Sequence, residues 1–397
     1  MVSSGRETGI VFSGGGARAA YQVGTLRAIA KLMPKGTAQP FPVICGTSAG
    51  AINAALLAAN ADSFRRGVAR LVRWWRHIRV TDVYRTDLVT LLRHAARLVG
   101  ILGGGGRGPR RPATLLDNAP LATLIRAGID LARMRAHVES GQLRALGINA
   151  TSYGTGHAVT FFEGAPDVAE WTRARRRGER SRLGSEHLMA SAAIPFVFPA
   201  VRIESDYYMD GSVRQIAPLA PALHLGAKRI IVLAVGQFNG QVPSAPTGAT
   251  RAPRQPSIGQ IAGHALSSVF LDNLGADIER LHQVNRLLGL TPPGEASRHT
   301  VAKHVDVLVL SPSRDLGTLA LRFAERMPSG VRYLLRGHGN TEGTGANLLS
   351  YLLFDREFAR ALLKLGHDDA MTRRAELGAF LRGVPHGRPV PSPAPRP

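Results

Sequence analysis

Short apolar runs alternate with stretches of helical spacing over the first 235 residues. Ile10–Ser13 predicts a short buried strand, and a helix is expected from about Ala19 to Met33. A second apolar run, Phe41–Cys45, precedes an alanine-rich segment with helical spacing, and the β-branched run Arg229–Ala234 is typical of a buried parallel strand. This order predicts an α/β fold with three layers (α/β/α), in which helices cover both faces of a mainly parallel central sheet.

The pattern changes after this α/β domain, which we place at residues 9–235. Residues 236–257 are rich in Pro, Gly, Ser and Thr and predict a flexible linker. A mainly helical C-terminal extension is expected over 258–383, with helices at 258–290, 348–365 and 370–381 and a strand at 305–310 that returns to the main sheet. The tail 384–397 contains six prolines and is expected to be disordered. Within the α/β domain, Leu88–Asp117 holds a glycine run and two prolines and predicts a mobile loop.

The segment Gly46–Gly50 places Ser48 between two glycines, directly after an apolar run and before a helix. This is the pattern of a nucleophile elbow, in which a tight strand-to-helix turn lifts the serine oxygen clear of the sheet. The N-terminal amides of the following helix would then face a developing oxyanion. Because the chain contains 44 glycines, an ordinary structural turn stays an alternative for this motif taken alone.

A glycine-rich loop follows the first predicted strand and consists of Gly14, Gly15, Gly16, Ala17 and Arg18. The same spacing fits a dinucleotide-binding loop, but that fold places an acidic residue about 20 residues further on. Here no Asp or Glu occurs between Glu7 and Asp62. We therefore interpret the loop as an oxyanion hole that serves Ser48, with Arg18 helping to hold it.

Asp210 and Gly211 follow the short predicted strand Tyr207–Met209, and Asp210 is a candidate base for Ser48. Taken alone, an Asp-Gly pair more often marks a hairpin turn. A Ser-His-Asp triad with His224 or His264 is a further alternative. It is disfavoured because an α/β-hydrolase elbow follows several strands, whereas one convincing strand precedes Phe41–Cys45.

Together these motifs resemble the patatin-like phospholipase family, whose pattern is a G-G-G-x-[RK]-G loop, a G-x-S-x-G elbow about thirty residues later and a D-G-[AG] motif. The stretches Ala20–Gly24, Ala51–Ala55 and Ser191–Pro195 are also of the family type, and the resemblance covers roughly residues 9–235. Two positions differ. Ala19 stands where the family usually has glycine, and Ser212 stands where it usually has alanine or glycine.

The resemblance implies a lipid acyl hydrolase with a Ser48–Asp210 dyad and no histidine, metal or cofactor. Amides of the glycine loop would stabilise the oxyanion, and water would cleave an acyl-Ser48 intermediate. A carboxylate near its usual pKa of about 4 is a weak base toward a hydroxyl, so the loop has to compensate. A lipid acyltransferase or thioesterase would use the same residues. A non-catalytic membrane-binding module and an NAD(P) enzyme are alternatives from other classes.

The formal charge of +22 on 397 residues favours an anionic partner. Arginines from Arg65 to Arg79 share a predicted helix with Trp74 and Trp75, which suits the headgroup level of a membrane. A solvated arginine face over a tryptophan-packed core is the alternative. A second cluster, Arg173–Arg182, is expected in an exposed loop. Nucleic acid is not expected as a partner because no helix-turn-helix, zinc-finger or RNA-sheet signature accompanies the charge.

Cysteine and hydropathy patterns bear on location. Cys45 is the single cysteine, so no intramolecular disulfide is possible, and neither metal-ligand spacing nor a signal-peptide pattern is present. No apolar run reaches the roughly 18 residues of a membrane span. We expect a cytoplasmic protein, peripheral at the inner membrane face if it binds lipid, and the sequence does not specify its oligomeric state.

Overall fold

The computed structural model describes residues 7–87, 114–236, 274–290, 303–336 and 344–384. Several sequence-based expectations therefore lie outside the described residues. These are the loop prediction for residues 88–113, the linker, the first part of the helix expected at 258–290, the proline-rich tail after Val384, and His264.

The described strands form one ten-stranded sheet, in which β10, β9, β1, β2 and β3 lie side by side and are all parallel. Beyond β3 the sheet is mixed: β4 and β8 both pair antiparallel with β3, β6 is parallel to β4, and β5 and β7 lie at the margins. The strands are β1 (Thr8–Phe12), β2 (Val43–Thr47), β3 (Ala145–Ser152), β4 (Ala158–Gly164), β5 (Trp171–Arg173), β6 (Arg176–Arg180), β7 (Val201–Ile203), β8 (Asp206–Asp210), β9 (Arg229–Leu233) and β10 (Asp306–Leu310).

Helices flank this sheet and continue through the C-terminal part of the chain. They are α1 (Ala20–Leu32), α2 (Ala49–Ala58), α3 (Phe64–His77), α4 (Val80–Val83), α5 (Ala119–Gly128), α6 (Leu131–Glu139), α7 (Ser185–Ser191), α8 (Ala220–His224), α9 (Leu274–Leu290), α10 (Leu316–Leu321), α11 (Ser329–Arg336), α12 (Thr344–Leu352), α13 (Arg356–Thr372) and α14 (Arg374–Leu381). Short 3₁₀ turns lie at Gly16–Ala19, Gly211–Val213 and Ala324–Arg326.

Side chains of the central strands alternate between two hydrophobic cores. Ile10 and Phe12 of β1 face the core shared with α1, α2 and α13, whereas Val11 faces the core beneath α8 and α9. Because successive residues of a strand point to opposite faces, an unbroken apolar run buries both faces at once. The predicted three-layer α/β/α arrangement with a mainly parallel sheet and C-terminal helices is confirmed, and so is the return of the late strand, as β10, to that sheet.

The C-terminal helices are shorter than their hydrophobic spacing predicted. The expected helix at 348–365 is two helices, because α12 ends at Leu352 and the Asp355 carboxylate caps the start of α13 by accepting from the amides of Glu357 and Phe358. The helix expected at 370–381 is likewise interrupted at Arg373, between α13 and α14. Apolar spacing continues through both breaks and does not reveal them.

The expected regular alternation of strands and helices up to residue 235 holds for β1, β2 and β3 but fails afterwards. After β3 the chain forms β4, β5 and β6 in succession. The second arginine cluster was predicted as an exposed loop, and this is wrong: Arg173 ends β5, and Arg176, Arg177 and Arg180 belong to β6. Charged side chains are tolerated there because this part of the sheet is its outer margin.

The described helices also bear on membrane crossing. Among them, none is both long enough and apolar enough to span a bilayer.

Candidate active site

Ser48 lies in a strained turn between β2 and α2. Its backbone has φ 55° and ψ −131°, a conformation that is rare for a residue with a side chain and typical of a nucleophile elbow. The turn is held from both sides. The Ser48 amide donates to Ser191 Oγ (2.9 Å), the Ser191 hydroxyl donates to the Asn149 carbonyl (2.6 Å), and the Ala51 amide donates to the Ser48 carbonyl. Such strain persists only when neighbouring contacts impose it.

The glycines of the serine elbow and of the Asp-Gly pair lie where two backbone segments are in close contact. A Cβ atom at Gly46, Gly50 or Gly211 would come within 2.5 Å of a backbone oxygen, namely that of Gly50, Ser13 or Asn149 respectively. The structure thus brings the elbow, the end of β1 and the turn after β8 into contact.

Asp210 is the last residue of β8 and is fully buried. Its amide donates to the Ala193 carbonyl (2.9 Å), and the Thr151 hydroxyl donates to its carbonyl (3.1 Å). The chain continues into a 3₁₀ turn, so the alternative of an ordinary hairpin turn at Asp210–Gly211 does not hold. One carboxylate oxygen, Oδ1, accepts from the Ser212 amide (2.9 Å). The other, Oδ2, is buried and has no hydrogen-bond partner among the described residues.

Burial raises the pKa of Asp210 to about 6, because a buried site disfavours the charged form. Smaller effects oppose this rise: the hydroxyl of Ser48 and then the amide and hydroxyl of Ser212 lie near enough to the carboxylate to lower its pKa. A pKa near 6 corrects the expectation of an ordinary carboxylate near 4. Asp210 is still ionised at neutral pH and is a stronger base than an exposed aspartate.

The glycine loop lies directly beside Ser48. A Cβ atom at Gly14 would be 3.3 Å from Ser48 Cβ and 2.4 Å from Ser212 Oγ. At Gly16 the backbone has φ +52°, and a Cβ atom would lie 2.2 Å from the Tyr351 carbonyl oxygen. No described residue accepts a hydrogen bond from the amides of Gly14, Gly15 or Gly16. These amides thus have no described acceptor, and the loop that carries them adjoins Ser48.

The Arg18 side chain connects the glycine loop to α12. Its guanidinium donates to Ser350 Oγ (2.7 Å) and Asn347 Oδ1 (2.8 Å), and it stacks on the Tyr351 ring at 4.3 Å. Ala17 is buried in the short 3₁₀ turn between the loop and α1. The role expected of Arg18 thus involves partners on α12 that sequence motifs do not reveal.

An apolar cavity adjoins Ser48. It encloses about 30 Å³, and its described walls include Gly16, Ile52, Trp74, Trp75 and Phe354. By that measure of volume, the cavity has room for one or two water molecules. None of the described residues that line it is charged, so the group best suited to it is a hydrocarbon.

The tryptophans of α3 face the protein interior. Trp75 is 2% exposed, donates to Asn53 Oδ1 (2.8 Å) and stacks on Phe354, while Trp74 is half-buried at the cavity wall. The arginines at 66, 70, 73, 76 and 79 are exposed. The alternative of an arginine face over a tryptophan-packed core therefore describes α3, and the headgroup position expected for Trp75 is wrong.

Three residues that support the site carry no motif role. Ser191 and Asn149 hold the Ser48 turn, and Gln22 bonds the carbonyls of Ser13 and Leu233 beneath the glycine loop. Ser191 belongs to a stretch of the family type, which was the available signal. Nothing in the local sequence of Asn149 or Gln22 marks them.

The histidine and nucleotide alternatives gain no support from the described residues. His224 stacks on Trp171 at 4.7 Å, and no described histidine lines the cavity at Ser48. Within the described part of the chain, no three His, Cys, Asp or Glu side chains converge as a metal site. The end of β2, where a dinucleotide fold would place its ribose-binding acid, carries Thr47 and Ser48.

Similarity to solved structures is weak in sequence. VipD from Legionella pneumophila is 13% identical, with 94% of this chain and 67% of that one covered and a TM-score of 0.34. Human GIVD cytosolic phospholipase A2 in complex with methyl gamma-linolenyl fluorophosphonate is 14% identical, with a TM-score of 0.43. That match covers 96% of this chain and 59% of the human one, so the chain spans about three fifths of that protein.

A third structure, the ExoU–SpcU complex of the Pseudomonas aeruginosa type III secretion system, is 19% identical, with 88% and 69% of the two chains covered and a TM-score of 0.24. A search of curated proteins found no significant match. A family model described as patatin-like phospholipase matches residues 10–223. That match spans more than half of the 397 residues, and the chain belongs to the patatin-like phospholipase family.

Proposed function

We propose that the protein hydrolyses lipid acyl esters with Ser48 as nucleophile and Asp210 as general base. The observation that carries this proposal is the pairing of a strained, nearly buried serine with a buried carboxylate whose Oδ2 has no described partner. An unpartnered carboxylate oxygen is costly in a protein interior, and a proton-accepting role accounts for its position.

The reaction divides into two steps. In the first, Ser48 Oγ attacks the ester carbonyl while its proton moves to Asp210, and the oxyanion accepts hydrogen bonds from the free amides of Gly15 and Gly16, with Ala17 as a further donor. Asp210 then returns the proton to the leaving alcohol, which leaves an acyl-Ser48 ester. In the second step, water attacks this ester, loses a proton to Asp210 and releases the fatty acid as Ser48 regains its proton.

The surroundings of the dyad determine how it works. Gly14 lies against both Ser48 and Ser212, Gly46 and Gly50 close the elbow, and Gly211 sets the turn after Asp210. The raised pKa of Asp210 makes the carboxylate a better proton acceptor than an exposed one, and the amides of the glycine loop offset the remaining cost of forming the oxyanion. Neither step requires a histidine.

Two features support a lipid as the substrate. The cavity beside Ser48 is apolar, and the outer face of α3 carries exposed arginines that would meet anionic headgroups. Peripheral contact with an anionic membrane is therefore part of the proposal, and the cytoplasmic location stays a prediction.

Fatty-acid release from mixed phospholipid vesicles and from a soluble p-nitrophenyl ester tests the proposal, with wild type and Ser48→Ala compared at equal concentration. We expect release by the wild type alone. Equal release by Ser48→Ala would show that Ser48 is not the nucleophile. If neither wild type nor Ser48→Ala released fatty acid, and both still bound vesicles, the non-catalytic membrane-binding alternative would be favoured. Transfer of the acyl group to an added lysolipid in place of release would identify an acyltransferase.

A further inference from the structure

The cavity at Ser48 is too small for an acyl chain in the conformation described. At about 30 Å³ it is far below the several hundred Å³ of typical ligand pockets. A larger groove of about 500 Å³ lies on the protein surface nearby, with Leu56, Ile78, Leu124 and Gly128 among its described walls. Trp74 and Ile78 belong to the walls of both. The Trp74 ring therefore stands between a closed apolar cavity and an open groove.

Helix α2 links the nucleophile to this groove. Ser48, Ile52 and Leu56 are spaced four residues apart, so they follow one face of the helix, with the first two at the cavity and the third in the groove. From Ser48 to Leu56 the helix rises about 12 Å. An extended hydrocarbon advances about 1.25 Å per carbon, given ordinary C–C bonds and angles, so about ten carbons cover this distance.

Within the described residues, Trp74 lacks the hydrogen bond that holds its neighbour Trp75 in place. The indole N–H of Trp75 is held by Asn53, and its ring stacks on Phe354. No described residue accepts a hydrogen bond from the Trp74 indole, and its ring rests over Gly128, where a Cβ atom would lie 2.1 Å from the ring. The absence of a side chain at Gly128 is what lets the ring occupy this position.

We propose that Trp74 is a gate that limits acyl-chain length, and that the groove beyond it binds the distal carbons of chains longer than about ten carbons. The inference rests on the proposed function, because it takes the acyl carbonyl to lie at Ser48. The described groove walls combine the apolar side chains of Leu56, Trp74, Ile78 and Leu124 with the polar residues Arg70, Arg73, His77 and Asp82. Arg70 and Arg73 are exposed, and the aliphatic stems of arginines add apolar surface while their charges face water. Chains shorter than this limit do not extend as far as the groove.

Rates with p-nitrophenyl esters of eight and sixteen carbons test the gate as a ratio of kcat/KM values. Trp74→Ala should raise the C16-to-C8 ratio roughly ten-fold, as expected when about two more methylenes are buried. Leu124→Trp should narrow the groove and lower the ratio. Trp171→Phe, at a tryptophan of β5 that lines neither of these two cavities, should leave the ratio unchanged. A ratio unaffected by Trp74→Ala and Leu124→Trp would overturn the gate.

Calorimetric binding of octanoate and palmitate separates this inference from the proposed function. The titrations use Ser48→Ala alone and combined with Trp74→Ala or Leu124→Trp. Opposite shifts in palmitate affinity, with octanoate affected less, would support the gate even if no ester were hydrolysed. Hydrolysis of both esters without any chain-length shift in either assay would overturn the gate and leave the hydrolase intact.

Discussion

Asp206 and Asp210 occupy the two ends of β8 and have opposite surroundings. At the hairpin end, the Asp206 carboxylate accepts hydrogen bonds from the Ser152 hydroxyl and the amides of Gly154 and Tyr207. Its partial burial raises its pKa, but these three donors outweigh that effect and hold the pKa below its usual value. At the other end, Asp210 is fully buried, and burial outweighs the effects of the Ser48 hydroxyl and of the Ser212 amide and hydroxyl, so its pKa rises to about 6.

One strand thus carries two carboxylates with opposite pKa shifts, and the proposed function gives a chemical role to Asp210 alone. A carboxylate surrounded by donors is stabilised in its ionised form and has little tendency to accept a proton. A carboxylate whose burial outweighs its donors retains that tendency. The comparison predicts that catalysis depends on Asp210 and not on Asp206, and that changes at the two positions shift stability in opposite directions.

The largest expected contrast is in turnover. Asp210→Asn should lower kcat/KM by about a thousand-fold, because proton transfer from Ser48 is lost while the shape of the site is kept. Asp206→Asn should retain most of the activity. Both are measured by ester hydrolysis at pH 8, with circular dichroism to verify folding. Similar losses in the two variants would remove the distinction between the two ends.

The glycine loop provides the next largest effect, independent of either carboxylate. Gly16→Ala should lower kcat/KM by about a hundred-fold, because its Cβ atom would push the loop away from the Tyr351 carbonyl and misplace the oxyanion donors. Gly36→Ala is the matched control. Gly36 also has a positive φ, of +80°, but nothing lies within 4 Å of its Cβ position. A similar rate loss in Gly36→Ala would indicate general destabilisation.

The pH dependence of activity tests the raised pKa. Asp210 acts as a base only when ionised, so kcat/KM should fall about ten-fold per pH unit below about pH 6 and level off above it. Asp206→Asn should show the same midpoint. A midpoint near 4 would mean that burial does not control the basicity of Asp210.

The smallest effects are on stability, and their signs differ between the two ends. Asp206→Asn should lower the free energy of unfolding at pH 7 by about 1–2 kcal/mol, since hydrogen bonds to a charged group are lost. That difference should shrink on acidification, because the depressed pKa of Asp206 stabilises the fold only while the group is ionised.

Asp210→Asn should behave in the opposite way. The raised pKa of Asp210 means that the folded state binds a proton more readily than the unfolded chain, so the wild type loses stability as pH rises from about 4 to 6. The melting temperature of Asp210→Asn should therefore exceed that of wild type at pH 7 and approach it at pH 4. Thermal denaturation from pH 4 to pH 7 measures the difference in melting temperature between Asp210→Asn and wild type. A variant less stable than wild type at pH 7 would contradict the account.

The sequence predicted the parts of the site that lie in contiguous motifs. Ser48, the glycine loop and Asp210 are the candidates that the sequence indicates, because each motif follows a recognisable apolar strand. The structure places the first two side by side because β1 and β2 are parallel neighbours, and the ends of such strands meet at one edge of the sheet. The layered fold followed from the same unbroken apolar runs.

What the sequence did not reveal depends on contacts between distant segments. Ser191 bonds the Ser48 amide across 143 residues, and Arg18 reaches Asn347 across 329. The pKa of Asp210 depends on burial by several elements at once, so an ordinary value was expected. The break before α13 did have a local signal in the capping residue Asp355, but the apolar run of Leu352, Leu353 and Phe354 concealed it.

Covalent labelling by an alkyl fluorophosphonate tests the central claim most directly, because the reagent requires an activated serine. Intact mass and peptide mapping would follow the reaction from pH 5 to pH 8 in wild type, Asp206→Asn and Asp210→Asn. We predict one adduct on Ser48, with a rate that rises to a plateau above about pH 6 in wild type and Asp206→Asn and stays slow at every pH in Asp210→Asn. Labelling elsewhere, or equal rates in Asp210→Asn and wild type, would contradict the account.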